Sequence, residues 1–195
     1  AITSFSTMFI EVPPADGPVA IVSQSGAASV VPYCMLRERG IGVRYVLASG
    51  NDADVNVCEL VREVAQDEGV RLILVYAETI KDAANLAAAA QIARQRNVPI
   101  VMLKSGRSAQ GAAAASSHTG AIANEDRVVD AFLRKHGIWR AGDTRALVNA
   151  AELYLNGTDP GLGRMVALSN SGALCVLAAD LAEQLGMPLS RLSDQ

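Results

Sequence analysis

The chain has 195 residues, half of them hydrophobic, and a formal net charge of −3. This content excludes a disordered chain and allows one complete core plus part of a second, while the low charge and scattered basic residues exclude a nucleic-acid partner. No apolar run reaches the roughly 18 residues that span a bilayer, and three distant cysteines without zinc or redox spacing indicate a reduced, cytoplasmic protein with no membrane partner.

In chain order, four short apolar runs rich in β-branched residues predict strands that are covered on both faces, at residues 19–23, 43–48, 71–77 and 99–103. Helical spacing of apolar residues lies between them. Asp54 is the predicted N-cap of one such helix. Thr79 and Asp82 form a predicted capping box before an alanine-rich helix at residues 83–94.

A further apolar stripe predicts a helix through residues 128–133, which Gly137 ends. A short fifth strand is predicted at residues 138–140, followed by a helix that Asp143 caps and that runs to Leu155. Strands that alternate with helices through short loops pair in parallel through right-handed crossovers. The predicted fold is therefore a doubly wound α/β sheet of the flavodoxin-like kind.

The last part of the chain repeats the opening β-turn-α pattern. A turn-rich linker at residues 157–163 separates a domain at residues 17–156 from a new strand at 164–169 and a new helix at 172–184. Because the segment 164–195 is too short to enclose a core, we expect the start of a second flavodoxin-like domain. With no initiator methionine, the chain is expected to be a processed or excised part of a longer protein.

In an open parallel sheet the ligand site forms beyond the carboxyl ends of the strands. The residues that follow the predicted strands are therefore candidates for the site, and a small-residue connection after the fourth strand leads on to His118. These residues are Gln24, Ser25, Gly26, Ser49, Gly50, Asn51, Glu78, Lys104, Ser105, Gly106 and Arg107.

His118 has only small and polar neighbours, so it is a candidate for carrying a phosphoryl group. The strand-to-helix turns at Ser25–Gly26 and Ser171–Gly172 share nearly the same spelling, and each offers helix N-terminal amides to an anion. Glu78 could accept from one ring nitrogen and leave the other as the nucleophile. We also assign phosphate contacts to Gln24, Ser117, Thr119 and Gly120, and no metal ligand.

Structural explanations for the same residues stay open. Glu78 could be a solvated carboxylate at a strand end, and Ser25–Gly26 a plain tight turn. Basic residues after strands are commonly solvated, so the roles of Lys104 and Arg107 stay open. His136 precedes Gly137 at a helix end, where no chemistry is needed to explain it.

Several segments resemble the NDP-forming acyl-CoA synthetases, relatives of succinyl-CoA synthetase. They lie at residues 17–27, 49–55, 76–82, 104–111 and 115–121, and the match is strongest at the last, around Ser-Ser-His-Thr-Gly. The resemblance implies that His118 is a phosphohistidine hydrogen-bonded to Glu78. It also implies that Ser25–Gly26 and Ser171–Gly172 begin paired helices that cradle the phosphate, one from each flavodoxin-like domain.

The same resemblance implies that other domains or subunits complete the enzyme. A CoA-binding domain, for which residues 1–16 would be the linker, and an ATP-grasp module would bind CoA and ATP or ADP with Mg²⁺. The substrate would be a small organic acid and the assembly an oligomer. The acyl group and the nucleotide preference are not readable from the sequence.

Two positions depart from the family pattern: Thr79 stands where glycine is common, and Asp52 where a basic residue or methionine is common. An alternative function is a catalytically inactive, synthetase-like regulatory or CoA-sensing module of a protein acetyltransferase. A third is a scaffold that only pairs with other domains. In the inactive modules the phosphorylated histidine is typically replaced, so His118 favours the enzyme.

Overall fold

The computed structural model describes residues 11–119, 125–156, 165–187 and 189–190, without the side chains of Ser116, His118 and Thr119. By its internal contacts the chain divides into two compact units, Ala1–Thr158 and Asp159–Gln195.

The first unit is built on a five-stranded parallel sheet. Its strands are β1 (Val19–Ser23), β2 (Val43–Ala48), β3 (Leu72–Ala77), β4 (Ile100–Lys104) and β5 (Trp139–Arg140), and their spatial order is β2-β1-β3-β4-β5. This order is that of a flavodoxin-like sheet, which confirms the predicted fold class. The predicted strand positions agree with the structure to within one residue at each end.

Helices cover both faces of this sheet. The helices of the described part are α1 (Gly26–Glu38), α2 (Val57–Val64), α3 (Ala83–Gln95), α4 (Ala109–Thr119), α5 (Asp126–His136), α6 (Thr144–Leu155) and α7 (Gly172–Gln184). On one face α2, α3 and α5 bury their apolar sides, and on the other face α1 and α6 do so. None of the helices in the described ranges is long and apolar enough to cross a membrane.

Two predicted helix caps are wrong, and local hydrogen bonds explain both. Helix α2 is capped by Asn56, not Asp54, because Asn56 and Glu59 form a reciprocal capping box. Helix α3 is capped by Asp82 alone, which accepts from the Asn85 N–H at 2.9 Å. By contrast, the predicted cap at Asp143 and the helix end at Gly137, whose φ is 68°, are confirmed.

The connection after β4, for which the sequence predicts no secondary structure, contains helix α4. This helix is mostly alanine, serine and glycine, so it has no apolar stripe to mark it. Alanine has the highest intrinsic helix propensity, and this is the physical reason for the helix. His118 therefore lies in the last turn of a helix, not in an extended connection.

The described part of the second unit contains α7, which matches the predicted bounds, and one isolated parallel bridge between Met165 and Leu189. The strand predicted at 164–169 is wrong in the described part, where only Met165 makes a β-bridge. Residues 157–164 lie outside the described residues. Several large apolar side chains of this unit are exposed, namely Leu168, Leu174, Val176, Leu177, Leu181 and Leu185.

The three cysteines are all free, and one of them is buried. Cys58 is buried under the sheet and burial raises the pKa of its thiol to about 11, so it is an unreactive core residue. Cys34 and Cys175 are free and partly exposed.

Candidate functional site

The carboxyl ends of four parallel strands meet at one side of the sheet, which we call the carboxyl edge. The register aligns Ser23 of β1 with Ala48 and with Tyr76, and Ala77 of β3 with Lys104. The residues that follow these strands are thereby brought together, although they are far apart in the sequence. The prediction that the residues after the strands gather at one side of the sheet is confirmed.

The turn at Ser25 and Gly26 is shaped by short-range hydrogen bonds. Ser25 is the N-cap of α1, and its hydroxyl accepts from the Ala28 N–H at 3.3 Å. Its own N–H donates to the Ser23 hydroxyl at 3.0 Å. Apart from its chain neighbours and the backbone of its own helix, no heavy atom of the described structure lies within 4 Å of the position that a Cβ on Gly26 would take. The start of α1 is therefore uncrowded at Gly26, and helix N-termini of this kind can bind anions.

Gln24 has a different role from its neighbour Ser25, because its side chain turns into the protein. Gln24 is 8% exposed, and its carboxamide bonds to Glu78, Thr79 and Asp52. Its backbone N–H donates to the Tyr76 carbonyl at 3.0 Å. The side chain thus joins the end of β1 to the end of β3 and to the loop after β2.

Glu78 is 7% exposed and lies directly after β3. Its backbone N–H donates to Gln24 Oε1 at 2.5 Å, and its Oε1 accepts from the Tyr76 hydroxyl at 3.3 Å. The same hydroxyl lies 3.3 Å from Ser105 Oγ. Burial raises the pKa of Tyr76, and the nearby Glu78 charge adds to this, so the phenol stays a donor at neutral pH. Glu78 is therefore held in place and is not a freely solvated carboxylate.

Lys104, at the end of β4, is only 1% exposed, so the idea that it is solvated is wrong. Its ammonium donates to the Ser105 carbonyl at 2.6 Å. Burial, and then the positive charge of Arg140, lower the pKa of Lys104, while Asp126 and Glu78 oppose this. Arg140 is itself ion-paired with Asp126. Arg107, the other basic residue after β4, is exposed.

Helix α4 packs against the loop that follows β4. Gly106 has a φ of 71°, and a Cβ on it would lie 3.5 Å from the Cβ of Ala115. His118 follows Ala115 by three residues in the same helix. The side chains of His118 and Thr119, and all of Gly120, lie outside the described residues. The exposed Ser117 donates its hydroxyl to the Ala113 carbonyl at 3.0 Å.

The second unit contains a turn that shares one hydrogen bond with the first. The Ser171 N–H donates to the Ser169 hydroxyl at 3.1 Å, as Ser25 donates to Ser23. Ser171 is the N-cap of α7, but its side chain makes no cap hydrogen bond, unlike that of Ser25. Apart from its chain neighbours and the backbone of its own helix, no heavy atom of the described structure lies within 4 Å of a Cβ position on Gly172. The repeated spelling of the two turns thus gives similar local structure, with a difference at the cap.

Three residues of the carboxyl edge were not assigned a role from the sequence: Tyr76, Ser105 and Asp52. Tyr76 precedes Glu78 by two positions, and the two-residue period of a strand places them on the same side of the sheet. This two-residue spacing could have identified Tyr76 as a neighbour of Glu78. For Asp52, the sequence offers no comparable pattern, because its partners come from distant elements.

A parallel sheet in this order, with polar side chains gathered at its carboxyl edge, defines a flavodoxin-like domain. The family described as the succinyl-CoA ligase like flavodoxin domain matches residues 16–154. The chain belongs to this family.

Relatives of the chain are ADP-forming ligases. It is 35% identical over 173 residues to the acetate–CoA ligase (ADP-forming) I subunit alpha of Pyrococcus furiosus, covering 89% of this chain and 37% of that protein. It is 30% identical over 192 residues to the 4-hydroxybutyrate–CoA ligase (ADP-forming) of Nitrosopumilus maritimus, covering 98% of this chain and 28% of that protein. The chain therefore spans well under half the length of these relatives.

Among solved structures, the chain is similar to the dinucleotide-forming acetyl-coenzyme A synthetase 1 of Ca. Korarchaeum cryptofilum in complex with phosphate and ADP. The TM-score is 0.81 with 29% sequence identity, and the match covers 92% of this chain and 39% of that one.

Proposed function

We propose that this chain is the phosphohistidine-bearing part of an NDP-forming acyl-CoA synthetase, with His118 as the phosphorylated residue. The observation that carries the proposal is the organisation of the carboxyl edge. Glu78 is buried and fixed there, α1 begins two residues after Gln24, and α4, which bears His118, packs on the adjoining loop at Gly106. Membership of the family and the names of the relatives support the same assignment.

In the proposed reaction a ring nitrogen of neutral His118 attacks the phosphorus of an acyl phosphate. The N–P bond forms as the bond from phosphorus to the acyl oxygen breaks, and the organic acid leaves as a carboxylate. The terminal phosphate oxygen of ADP then attacks the same phosphorus, the N–P bond breaks, and the ring returns to its neutral form. For acyl-CoA formation these steps run in reverse as far as the acyl phosphate. The CoA thiol then attacks the acyl carbon, the thioester bond forms, and inorganic phosphate leaves.

The residues of the chain have separate tasks in this scheme. Glu78 accepts from the second ring nitrogen, which fixes the tautomer and balances the positive charge of the phosphorylated ring. The N–H groups in the first turn of α1, which begins at Gly26 after its cap Ser25, donate to the phosphoryl oxygens. We assign the same task to Ser117, Thr119 and Gly120 beside the histidine.

The proposal requires parts outside this chain, which is consistent with its coverage of 37% of the Pyrococcus subunit. CoA would be bound by one domain or subunit, and the nucleotide with Mg²⁺ by another, in an oligomeric enzyme of the cytoplasm. We propose that residues 164–195 begin a second flavodoxin-like domain after a linker at 157–163, so that Ser171 and Gly172 present a second helix start to the phosphate. The acyl group stays open, since the relatives' names include acetate and 4-hydroxybutyrate.

The test is phosphorylation of the full-length protein that contains this chain. Incubation with γ-labelled ATP and Mg²⁺ should give label that is acid-labile and base-stable, as expected of phosphohistidine. His118→Asn should abolish the label, and His136→Asn, at the end of α5, is the matched control that should keep it. Label that persists in His118→Asn contradicts the proposal. A protein that binds acyl-CoA but takes no label would instead be the regulatory module.

A further inference from the structure

The carboxamide of Gln24 is fully used by protein groups. Its Oε1 accepts from the N–H groups of Glu78 and Thr79, at 2.5 and 2.9 Å. Its Nε2 donates to the Thr79 carbonyl at 2.8 Å and to Asp52 Oδ2 at 2.5 Å. A carboxamide has two N–H bonds to donate and one oxygen that accepts two. A phosphate could therefore contact this side chain only by displacing one of these partners.

Asp52 is held in an unusual conformation by the same network. Its φ is 53°, in the left-handed region that non-glycine residues seldom adopt, although Asp and Asn tolerate it. Its Oδ1 accepts from the Ser49 hydroxyl at 2.5 Å and from the Val57 N–H at 3.2 Å. Asp52 thus ties the end of β2 and the start of α2 to Gln24.

We propose that Gln24 and Asp52 form a clamp that positions Glu78 and that neither residue contacts the phosphoryl group. The clamp holds the two backbone amides where the chain leaves β3, and so fixes the point from which the Glu78 carboxylate extends. The catalytic part of this inference rests on the proposed function, in which Glu78 orients His118. Gln24 and Asp52 are then positioning residues, and the phosphate contact expected for the Gln24 side chain is replaced by this role.

Gln24 donates and Asp52 accepts in the bond between them. Exchanging the amide and the carboxylate between the two positions therefore tests the clamp. Asp52→Asn keeps an oxygen for Ser49 and Val57 and tolerates the left-handed conformation, but it sets an NH₂ group against the Gln24 NH₂ group. Gln24→Glu keeps an oxygen for the two amides, but it sets a second carboxylate against Asp52 and cannot donate to the Thr79 carbonyl, which Gln24 Nε2 contacts at 2.8 Å. In the double variant the introduced asparagine donates to the introduced glutamate, so the pairing between the two positions is restored with its direction reversed, while the bond to Thr79 stays lost.

Two measurements on the full-length protein report whether the clamp is intact. The first is single-turnover labelling of His118 by ATP, together with kcat and the KM for inorganic phosphate. The second is hydrogen exchange at the amides of Glu78 and Thr79, which needs no catalysis. Asp54→Asn is the matched control, because it makes the same charge change at an exposed position in the same loop.

We expect each single variant to slow labelling about tenfold or more, because a small displacement of an orienting group has a large effect on rate. The KM for phosphate should change by less than about twofold, since no phosphate contact is lost. Exchange at the two amides should become faster in both single variants. The double variant should recover part of the rate and of the protection that Gln24→Glu loses, because the bond from residue 24 to the Thr79 carbonyl is not restored. Asp54→Asn should behave as the wild type.

Each contrary result overturns the clamp in a different way. A KM for phosphate that rises while kcat is unchanged means that Gln24 contacts phosphate. Loss of rate and protection without recovery in the double variant means that the two residues serve folding only. If the wild type takes no label, the proposed function fails, and hydrogen exchange still decides the clamp. Protection that is lost in Gln24→Glu and partly regained in the double variant supports the clamp, and unchanged protection overturns it.

Discussion

Asp67 anchors the amino-terminal side of the sheet, opposite the carboxyl edge, and its removal gives a quantitative prediction. Its Oδ2 accepts from the Tyr45 hydroxyl at 2.5 Å and from Arg44 Nε at 2.9 Å, and its Oδ1 from the Gly69 N–H at 2.7 Å. The bond from Tyr45, then those from Arg44 and Gly69, lower the pKa of Asp67 from 3.8 to about 2.

A lowering of the pKa by this amount corresponds to roughly 2 kcal/mol of stability. Because the Asp67 side chain is 21% exposed, solvent screens part of this, and we expect Asp67→Asn to lower the free energy of unfolding by about 1–2 kcal/mol at pH 7. Since the folded-state pKa is the lower one, this stability is present above pH 3.8 and is lost as the pH falls towards about 2.

The assay is urea unfolding of wild type and Asp67→Asn, followed by far-ultraviolet circular dichroism between pH 7 and pH 2. The difference between the two proteins should be largest at neutral pH and should disappear near pH 2, the folded-state pKa. Asp54→Asn, an exposed change of the same kind, should show no such dependence. A difference that stays constant over this range, or none at pH 7, would refute the reasoning.

Two further substitutions test burial and close packing, both by thermal and chemical unfolding. Lys104→Met removes a buried ammonium whose hydrogen bond in the described structure is to the Ser105 carbonyl, and should raise stability by about 1–2 kcal/mol at pH 7. Because the pKa of Lys104 is lowered in the folded state, the stability of the wild type should rise as the pH approaches 10.5, and Lys104→Met should not show this rise. A melting temperature of Lys104→Met below that of the wild type would contradict the account. Gly42→Ala would place a Cβ in steric overlap with the Asp16 carbonyl oxygen and should cost about 1–3 kcal/mol. At Gly142 an added Cβ would meet no heavy atom of the described structure within 4 Å apart from the chain neighbours, so Gly142→Ala should change stability by less than about 0.5 kcal/mol. Equal effects at the two glycines would be the contrary result.

The strands and the amphipathic helices could be predicted from the sequence because their apolar periodicity is strong. Helix α5, for example, has a clear apolar stripe and a glycine at the position where the helix ends. Helix α4 was missed since alanine gives helix propensity without a stripe. The caps at Asp54 and Thr79 were wrong because several polar residues near a helix start can serve as the cap, and only the hydrogen bonds made in the fold select one.

The position of the candidate site followed from topology, because parallel strands end together. The roles of single side chains did not follow, since they depend on contacts between distant segments. Gln24 bonds to a residue 54 positions away, and the pKa of the buried Lys104 is affected by the charges of Arg140 and Asp126, which come later in the chain. Periodicity describes neighbours within one element, so it carries no information about such partners.

The bridge from Gln24 to Glu78 also bears on the order in which the candidate site assembles during folding. The helix start at Ser25 is local and can form early, but the bond across 54 residues requires β1 and β3 to be paired first. A nascent chain that has not yet produced β3 therefore has the start of α1 but not yet Glu78. Under the proposed function, recovery of labelling after dilution from denaturant should not precede the pairing of β1 with β3, so labelling would report on the slow, long-range step of refolding.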